Sequence, residues 1–411
     1  MIYMFSKVPR GSINHSLVDS VAYLLQSITS KLKNDKKIFE FEELFAQYIG
    51  RKYCVSFPFA RTAIYFALKV KNLPKGTEVI MPPISIKGIL DVVLSLGLIP
   101  KYVDLDLNNF CFDEQKLSNA IDENTGAIII TYLFGTAPNI EKLIEICKRK
   151  KIFVLEDFSQ GLNATVSKKK LGSFGDCSIY SSSAIKQIDT FGGGHFFSDD
   201  KELVSRMRKE QEQLYPSKRI FLLKKILRNL MYNLATNQII FNIFTDPLLK
   251  ALKIFGTDVN RMTGNRDQQP IKVIPNEWFR SYTAFQACVG IRELKKVVSF
   301  DHKRIAHAHK VMENAPLIDF GQRTNKDQHT YWQLVAYAKN PESFIKNLRS
   351  LGVDACTSSL ELLSGLKKYP GSTNMPVAEK VHSMGVFIPC FSRMSKWQKN
   401  RVYEAIEIID S

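Results

Sequence analysis

Apolar positions recur at helical spacing over residues 17–35 and 39–50, which predicts two helices ahead of the first strand. From residue 53 to about 198 the pattern changes. Short apolar runs at 78–81, 101–103, 127–132, 152–156, 177–180 and 194–197 alternate with helical stretches. Such alternation predicts parallel βαβ units and a sheet covered on both faces. Residues 202–213 read as a charged helix, and 256–269 as a polar loop. Between them, 220–234 carries Ile220, Leu223, Ile226, Leu227, Leu230 and Leu234 on one face, with Lys218, Arg219, Lys224, Lys225 and Arg228 gathered at its start. A strand at 331–337, helices near 342–351 and 376–382, a strand at 385–388 and a closing helix at 395–410 follow. The expected organisation is a large α/β domain over 1–265, with a helical excursion at 202–265, and a smaller α+β domain over 266–411.

Composition narrows the function classes. A chain of 411 residues with 45% hydrophobic and 24% charged residues can build a large core. The seven cysteines are scattered without C-x-x-C pairs, which suits reduced thiols in a cytoplasmic protein. No apolar run reaches membrane-spanning length, and residues 1–16 lack the apolar core of a signal peptide. The formal charge of +17 favours anionic partners. No helix-turn-helix, zinc or RNA-binding pattern accompanies it, so nucleic acid is not expected. The basic stretch 220–234 reads either as a helix packed on a partner subunit or beside a substrate mouth, or as one resting on a membrane surface.

The candidate chemistry sits in 172–194, GSFGDCSIYSSSAIKQIDTFGGG, with Lys186 in its middle. Lysine becomes a nucleophile for Schiff-base chemistry when its surroundings depress its pKa. Upstream, an apolar strand ends in Glu156-Asp157, which places a carboxylate at a sheet edge. An acid at a strand end with a lysine on a later turn suits pyridoxal phosphate (PLP), whose pyridinium nitrogen takes a carboxylate partner. Glu156 points away from Asp157 on a strand and reads as structural. His195 and His329 lack metal-ligand companions, so no metal site is expected.

The chain resembles the DegT/DnrJ/EryC1/StrS family of sugar aminotransferases. The resemblance rests on FEFEELFAQYIG at 39–50, GTEVIMP at 76–82, IPKYVD at 99–104, EDFSQ at 156–160, GSFGD at 172–176, and Ser181 with Lys186 as S-x-x-x-x-K. It implies a fold type I PLP enzyme, with a mixed, mostly parallel sheet and a smaller C-terminal α+β domain. By that resemblance Lys186 carries the cofactor, Asp157 faces its pyridine nitrogen, Gln160 lies beside its phenolic oxygen, and Ser181 binds its phosphate. Family members with histidine at the lysine position are dehydratases, so lysine argues for amino transfer.

Four stretches depart from the family pattern. Phe59-Ala60-Arg61 replaces the usual serine-glycine-threonine at a helix start, where Ala60 N–H and the Arg61 guanidinium would meet the phosphate or a substrate anion. Ile86 stands near the position of an aromatic that stacks on the ring. Tyr132-Leu133-Phe134-Gly135 replaces His-Leu-Tyr-Gly. The asparagine that reaches the partner subunit's phosphate is out of register at 276–281, where Asn276 or Arg280 is the candidate substitute.

The resemblance implies transfer of an amino group from L-glutamate to a keto or aldehyde sugar, in a homodimer, for surface polysaccharide or lipopolysaccharide. The acceptor is expected to be nucleotide-linked. An oxidised 3-deoxy-octulosonate, aminated at its terminal carbon, is the alternative. A PLP lyase of the same fold and a non-catalytic sensor or membrane-associated scaffold remain the competing classes.

Overall fold

A computed structural model describes residues 7–254, 271, 274–323, 328–366 and 374–411. The predicted loop at 256–269 and the 265/266 domain boundary lie outside these residues.

At the centre is a seven-stranded sheet made from Tyr53–Phe57 (β1), Glu78–Met81 (β2), Ile99–Tyr102 (β3), Thr125–Thr131 (β4), Phe153–Asp157 (β5), Cys177–Ser181 (β6) and Gly194–Ser198 (β7). The strand order is β1-β7-β6-β5-β4-β2-β3. From β6 to β3 all neighbours are parallel, while β7 runs antiparallel to both β1 and β6. Both faces are covered, which explains why β4 and β5 read as continuous apolar runs. Ala127, Ile129 and Leu155 face one core layer, and Ile128, Ile130 and Val154 face the other. The strand period of two sorts them.

Among the helices of the described residues, those laid around the sheet include Leu17–Thr29 (α1), Asp35–Ile49 (α2), Ala60–Lys71 (α3), Lys87–Ser95 (α4), Glu114–Ala120 (α5), Ile140–Arg149 (α6), Lys201–Glu212 (α7) and Arg219–Thr236 (α8). Ala63, Ile64 and Ala67 of α3 with Leu90 and Val93 of α4 fill the first layer. Phe41 and Phe45 of α2 and Leu143 of α6 fill the second. Helix α2 starts at an Asn34 cap and stops at Gly50, whose φ of 86° gives the left-handed turn that glycine tolerates best.

The C-terminal unit holds a three-stranded antiparallel sheet with Gly385–Ile388 between Leu334–Tyr337 and Cys356–Thr357. The helices Val297–Asn314 and Lys396–Asp410 cover it with Ala308, Val311, Val402 and Ala405. Glu361–Leu362 pairs with Ile84–Ser85, so the two sheets are tied just beyond β2. The helix Ala284–Leu294, although late in the chain, packs its Phe285 and Val289 with Tyr23 and Ile226, and its Ala287 with the α2 layer. It therefore belongs by packing to the large unit.

Helix α8 forms where the apolar pattern predicts, but with a different inward face. Leu222, Ile226, Asn229 and Asn233 are buried, whereas Ile220 and Leu227 are about half exposed. The cause is polar. Asn229 Nδ2 donates to the buried Asp189 carboxylate at 2.5 Å, and Asn233 Nδ2 donates to His15 O at 2.7 Å. Buried acceptors need donors, and two amides outrank leucine there. No helix among the described residues is long and apolar enough to cross a membrane.

Candidate active site

Strand β5 ends at Asp157, whose carboxylate is buried and accepts the Ser159 N–H at 3.0 Å. The Ser159 hydroxyl in turn accepts the N–H of Ser181 at the end of β6, 2.9 Å away. One short polar chain thus ties Asp157 to Ser181, whose hydroxyl lies 3.1 Å from that of Ser183. Burial pushes the Asp157 carboxyl up, and the positive charge of Lys186 pulls it down. Glu156 faces the other side of the strand. It accepts the N–H groups of Gly172, Phe174 and Gly175 and pairs with Arg51, so it holds the GSFGD turn.

Lys186 lies in the loop between β6 and β7, and that loop is pinned from several directions. Asn14 Nδ2 donates to the carbonyls of Lys186 and Gln187 at 3.2 and 3.0 Å. Gln187 Nε2 donates to Leu162 O, and Ile188 N–H donates to the Tyr180 hydroxyl. The Trp332 indole N–H donates to Ile185 O, and the Trp332 ring lies 4.0 Å from Lys186 Nζ. Burial drives the Lys186 amine down from 10.5 to about 8, with Asp157 partly opposing it. A lysine in this range has a useful fraction of neutral amine near physiological pH.

Gln160 Oε1 accepts the Phe134 N–H at 2.8 Å, which locks the Tyr132–Gly135 turn beside Asp157. The same turn receives the C-terminal unit, since Thr330 N–H donates to Gly135 O at 2.8 Å and Gln333 N–H to Phe134 O at 3.2 Å. A Cβ on Gly135 would stand 2.6 Å from Trp332 N, so glycine admits that approach. This docking delivers Trp332 to Lys186.

Helix α3 begins at Ala60 after Phe59, which gives no side-chain cap. The N–H groups of Ala60 and Arg61 lie in the first turn, where no intrahelical acceptor exists. A Cβ on Gly194 would lie 2.2–2.3 Å from Phe59 C and O and Ala60 N, so the helix start rests directly on β7. Gly194 pairs with Ser181, which brings the α3 N-terminus and Ser181 together. The Arg61 guanidinium packs between the rings of Phe59 and Trp278, 4.6 and 4.1 Å from their centres.

The other candidates fall around this centre unequally. Ile86 is 46% exposed and precedes α4. Asn276 is exposed on the 3-10 turn Asn276–Phe279, and that turn sits in cis against α3 through Thr62 Oγ1, which donates to Trp278 O. Arg280 turns to the Phe221 ring on α8, 4.2 Å from its centre. His195 is buried between the hydroxyls of Ser56 and Ser182, and burial lowers it to about 3, so it stays neutral. Among the described residues no cluster of His, Cys, Asp or Glu has metal-binding geometry.

The sequence reading missed Asn14, Trp332 and Lys225. Lys225 Nζ lies 4.6 Å from the centre of the Phe59 ring, beside the start of α3. Its only signal was the basic run around it, which also contains solvent-facing Lys224 and Arg228.

The donor set fits PLP. It offers a lysine with a lowered pKa, a buried carboxylate charge-coupled to it, and an uncapped helix start beside a serine and a buried Arg61 Nε that has no partner.

The sequence matches the model of a family described as the DegT/DnrJ/EryC1/StrS aminotransferase family over residues 14–223. It is 34% identical to GDP-perosamine synthase of Caulobacter vibrioides over 42% of this chain and 46% of that protein. It is 28% identical to the spore coat polysaccharide biosynthesis protein SpsC of Bacillus subtilis over 47% of this chain and 52% of that protein. The chain spans about half the length of these curated relatives. Its fold matches that of E. coli GDP-4-keto-6-deoxy-D-mannose-3-dehydratase with bound hydrated PLP, with a TM-score of 0.72 and 21% identity, covering 98% of this chain and 100% of that one.

Proposed function

The chain belongs to the DegT/DnrJ/EryC1/StrS aminotransferase family, and from that membership we propose that it is a PLP-dependent aminotransferase moving an amino group from L-glutamate to a keto or aldehyde sugar. The observation that carries the reading is the pairing of Asp157, buried at the end of β5, with half-buried Lys186 on the pinned loop beyond β6, each shifting the other's charge state. A lysine at this position can take up and return a proton, and it is the amine on which amino transfer depends.

When bound, PLP supplies an electron sink for the charge that develops at the donor's Cα. Asp157, buried at the end of β5, would hold a proton on the ring nitrogen. Lys186 in its neutral form would hold the cofactor, and its Nζ would take the proton from the donor's Cα. The clamp of Asn14 and Trp332 on the lysine loop fixes where that amine can reach. The Trp332 ring closes one side of the site against water. Ser181 and the start of α3 would hold the phosphate.

The acceptor is proposed to be a nucleotide-linked sugar destined for surface polysaccharide; the relatives named for GDP-perosamine and spore coat polysaccharide support that class. A homodimer is the proposed assembly. Val18, Val21, Leu25 and Ile28 form an exposed apolar stripe on α1, and Leu227 and Met231 are exposed on α8, the helix that α1 packs against, which suits a second copy. All seven cysteines are free, as a cytoplasmic protein would have them.

The test is the visible spectrum of the purified protein before and after L-glutamate, with Lys186→Ala in parallel. Conversion of the bound cofactor to its amine form, with 2-oxoglutarate produced by wild type alone, is expected. A wild type that binds PLP yet leaves glutamate untouched would remove the aminotransferase reading.

A further inference from the structure

We infer that Arg61 and Lys225 form a clamp, within one chain, for a phosphate dianion over the start of α3, and that the dianion is the cofactor's own phosphate. The inference rests on the PLP reading above and adds α8 to the site.

Lys225 turns inward on α8 while Lys224 and Arg228 face solvent. Its amine comes to rest on the backbone of Gly192, where a Cβ would stand 2.7 Å from Nζ. Gly192 is two residues from Gly194, the seat of the α3 N-terminus. Lys225 and Arg61 both pack on the single ring of Phe59, 4.6 Å from its centre in each case.

Two cations so close repel each other, and burial compounds the cost. Both effects lower Lys225, from 10.5 to about 8. Burial also lowers Arg61. Neither makes a hydrogen bond or ion pair with any described residue, and Arg61 Nε is buried without a partner. The acids in the neighbourhood are spoken for. Asp189 accepts from Asn229 and from Phe191 N–H, Asp91 pairs with Lys87, and Glu277 is exposed.

Glu277 attracts both cations from a distance, but no carboxylate among the described residues bonds to either, and two such cations at an uncapped helix start make a site for an anion of matching charge. A phosphate monoester near neutral pH carries close to two negative charges. It would satisfy the guanidinium, the ammonium and the N–H groups of Ala60 and Arg61 together. Asn276 is exposed, and Arg280 packs on the Phe221 ring of α8 with its own Nε buried and without a partner.

The test is equilibrium binding of PLP and of unphosphorylated pyridoxal to the full chain, followed by absorbance of the Lys186 adduct. Wild type is compared with Lys225→Met and Arg61→Met, which keep the apolar stems. Each variant is expected to weaken PLP about tenfold or more while leaving pyridoxal within about twofold. Equal weakening of both ligands, or unchanged PLP binding, overturns the clamp and leaves the Lys186 chemistry standing. A wild type that takes neither ligand at Lys186 overturns the functional reading instead. Inorganic phosphate then tests the clamp alone, through a rise in Tm that wild type shows and Lys225→Met lacks; no rise in wild type overturns it. PLP-loaded wild type is expected to gain nothing more from inorganic phosphate. A further gain that depends on Lys225 would assign the clamp to a phosphoryl group of the substrate and overturn its assignment to the cofactor. Because a dianion favours the ammonium form of Lys225, binding of inorganic phosphate at about pH 8 should take up protons in wild type and less in Lys225→Met.

Discussion

The ammonium of Lys186 lies 4.0 Å from the centre of the Trp332 ring, and the Trp332 indole N–H donates to the carbonyl of Ile185 at 3.1 Å. One side chain from the C-terminal unit therefore covers the reactive amine and fixes the backbone next to it. Ile185 has a φ of 69°, a strained value for a β-branched residue, so its loop needs such a hold. Loading the protein with PLP should quench tryptophan emission, because a new chromophore enters beside Trp332. Trp332→Phe should lose part of that quench, and the remainder should come chiefly from Trp278, whose ring packs on Arg61. An undiminished quench in the variant would place the cofactor away from Trp332.

The Lys186 amine, lowered to about 8, sets a pH dependence. Only the neutral amine condenses with an aldehyde. The rate of adduct formation with pyridoxal should therefore rise about tenfold per pH unit below the midpoint and level off above it. The charge of Asp157 holds the lysine up, so Asp157→Asn should move the midpoint to lower pH. Stopped-flow mixing across pH 6–10 reads both. A wild-type midpoint near the ordinary lysine value of 10.5 would contradict the burial of this amine.

Much of this was legible in the sequence, for a physical reason. The strand run from β2 to β7 shows itself because strands covered on both faces must be apolar, and the Lys186 and Asp157 motifs sit at strand ends that the pattern already marks. What the sequence hid depends on contacts between distant segments. Trp332 meets Ile185 across 147 positions, and nothing local to residues 328–333 announces that meeting. On α8 the leucine pattern pointed to Leu230 and Leu234, while Asn229 and Asn233 hold the inward face. Their partners are an aspartate and a backbone carbonyl that only the fold brings near. Lys225 was hidden among like charges, since a run of basic residues does not say which one turns inward.

Glu156 is a separate prediction about stability. Its carboxylate accepts Gly172 N–H at 2.8 Å, Phe174 N–H at 2.7 Å and Gly175 N–H at 2.6 Å. It also faces Arg51, whose side chain is nearly solvent-free. Glu156→Ala would leave four donors short of an acceptor, the Gly172, Phe174 and Gly175 N–H groups and the Tyr132 hydroxyl, and would leave Arg51 to its pairing with Asp199. The expected loss is about 3–5 kcal/mol in chemical denaturation. Glu156→Gln should lose less, because the amide oxygen can still accept from part of the turn. A loss within experimental error in Glu156→Ala would mean that the GSFGD turn is held by something else.

The last prediction concerns the seat of α3. A Cβ at residue 194 would lie 2.2 Å from Phe59 C and O and 2.3 Å from Ala60 N, and these are backbone atoms that have no rotamer to change. Gly194→Ala must therefore push the helix start off β7, away from Ser181 on the neighbouring strand. Overpacking of this kind costs about 1–3 kcal/mol in stability. The larger effect should be on ligand binding, because the free N–H groups of Ala60 and Arg61 move with the helix. PLP should weaken about tenfold, the loss of one charge-assisted hydrogen bond, while pyridoxal, which lacks the phosphate, should change much less. Gly365→Ala is the matched control, since a Cβ there meets nothing nearer than 3.5 Å. Titration of both ligands in both variants decides the point: PLP affinity unchanged in a folded Gly194→Ala protein would mean that the phosphate does not sit at the start of α3.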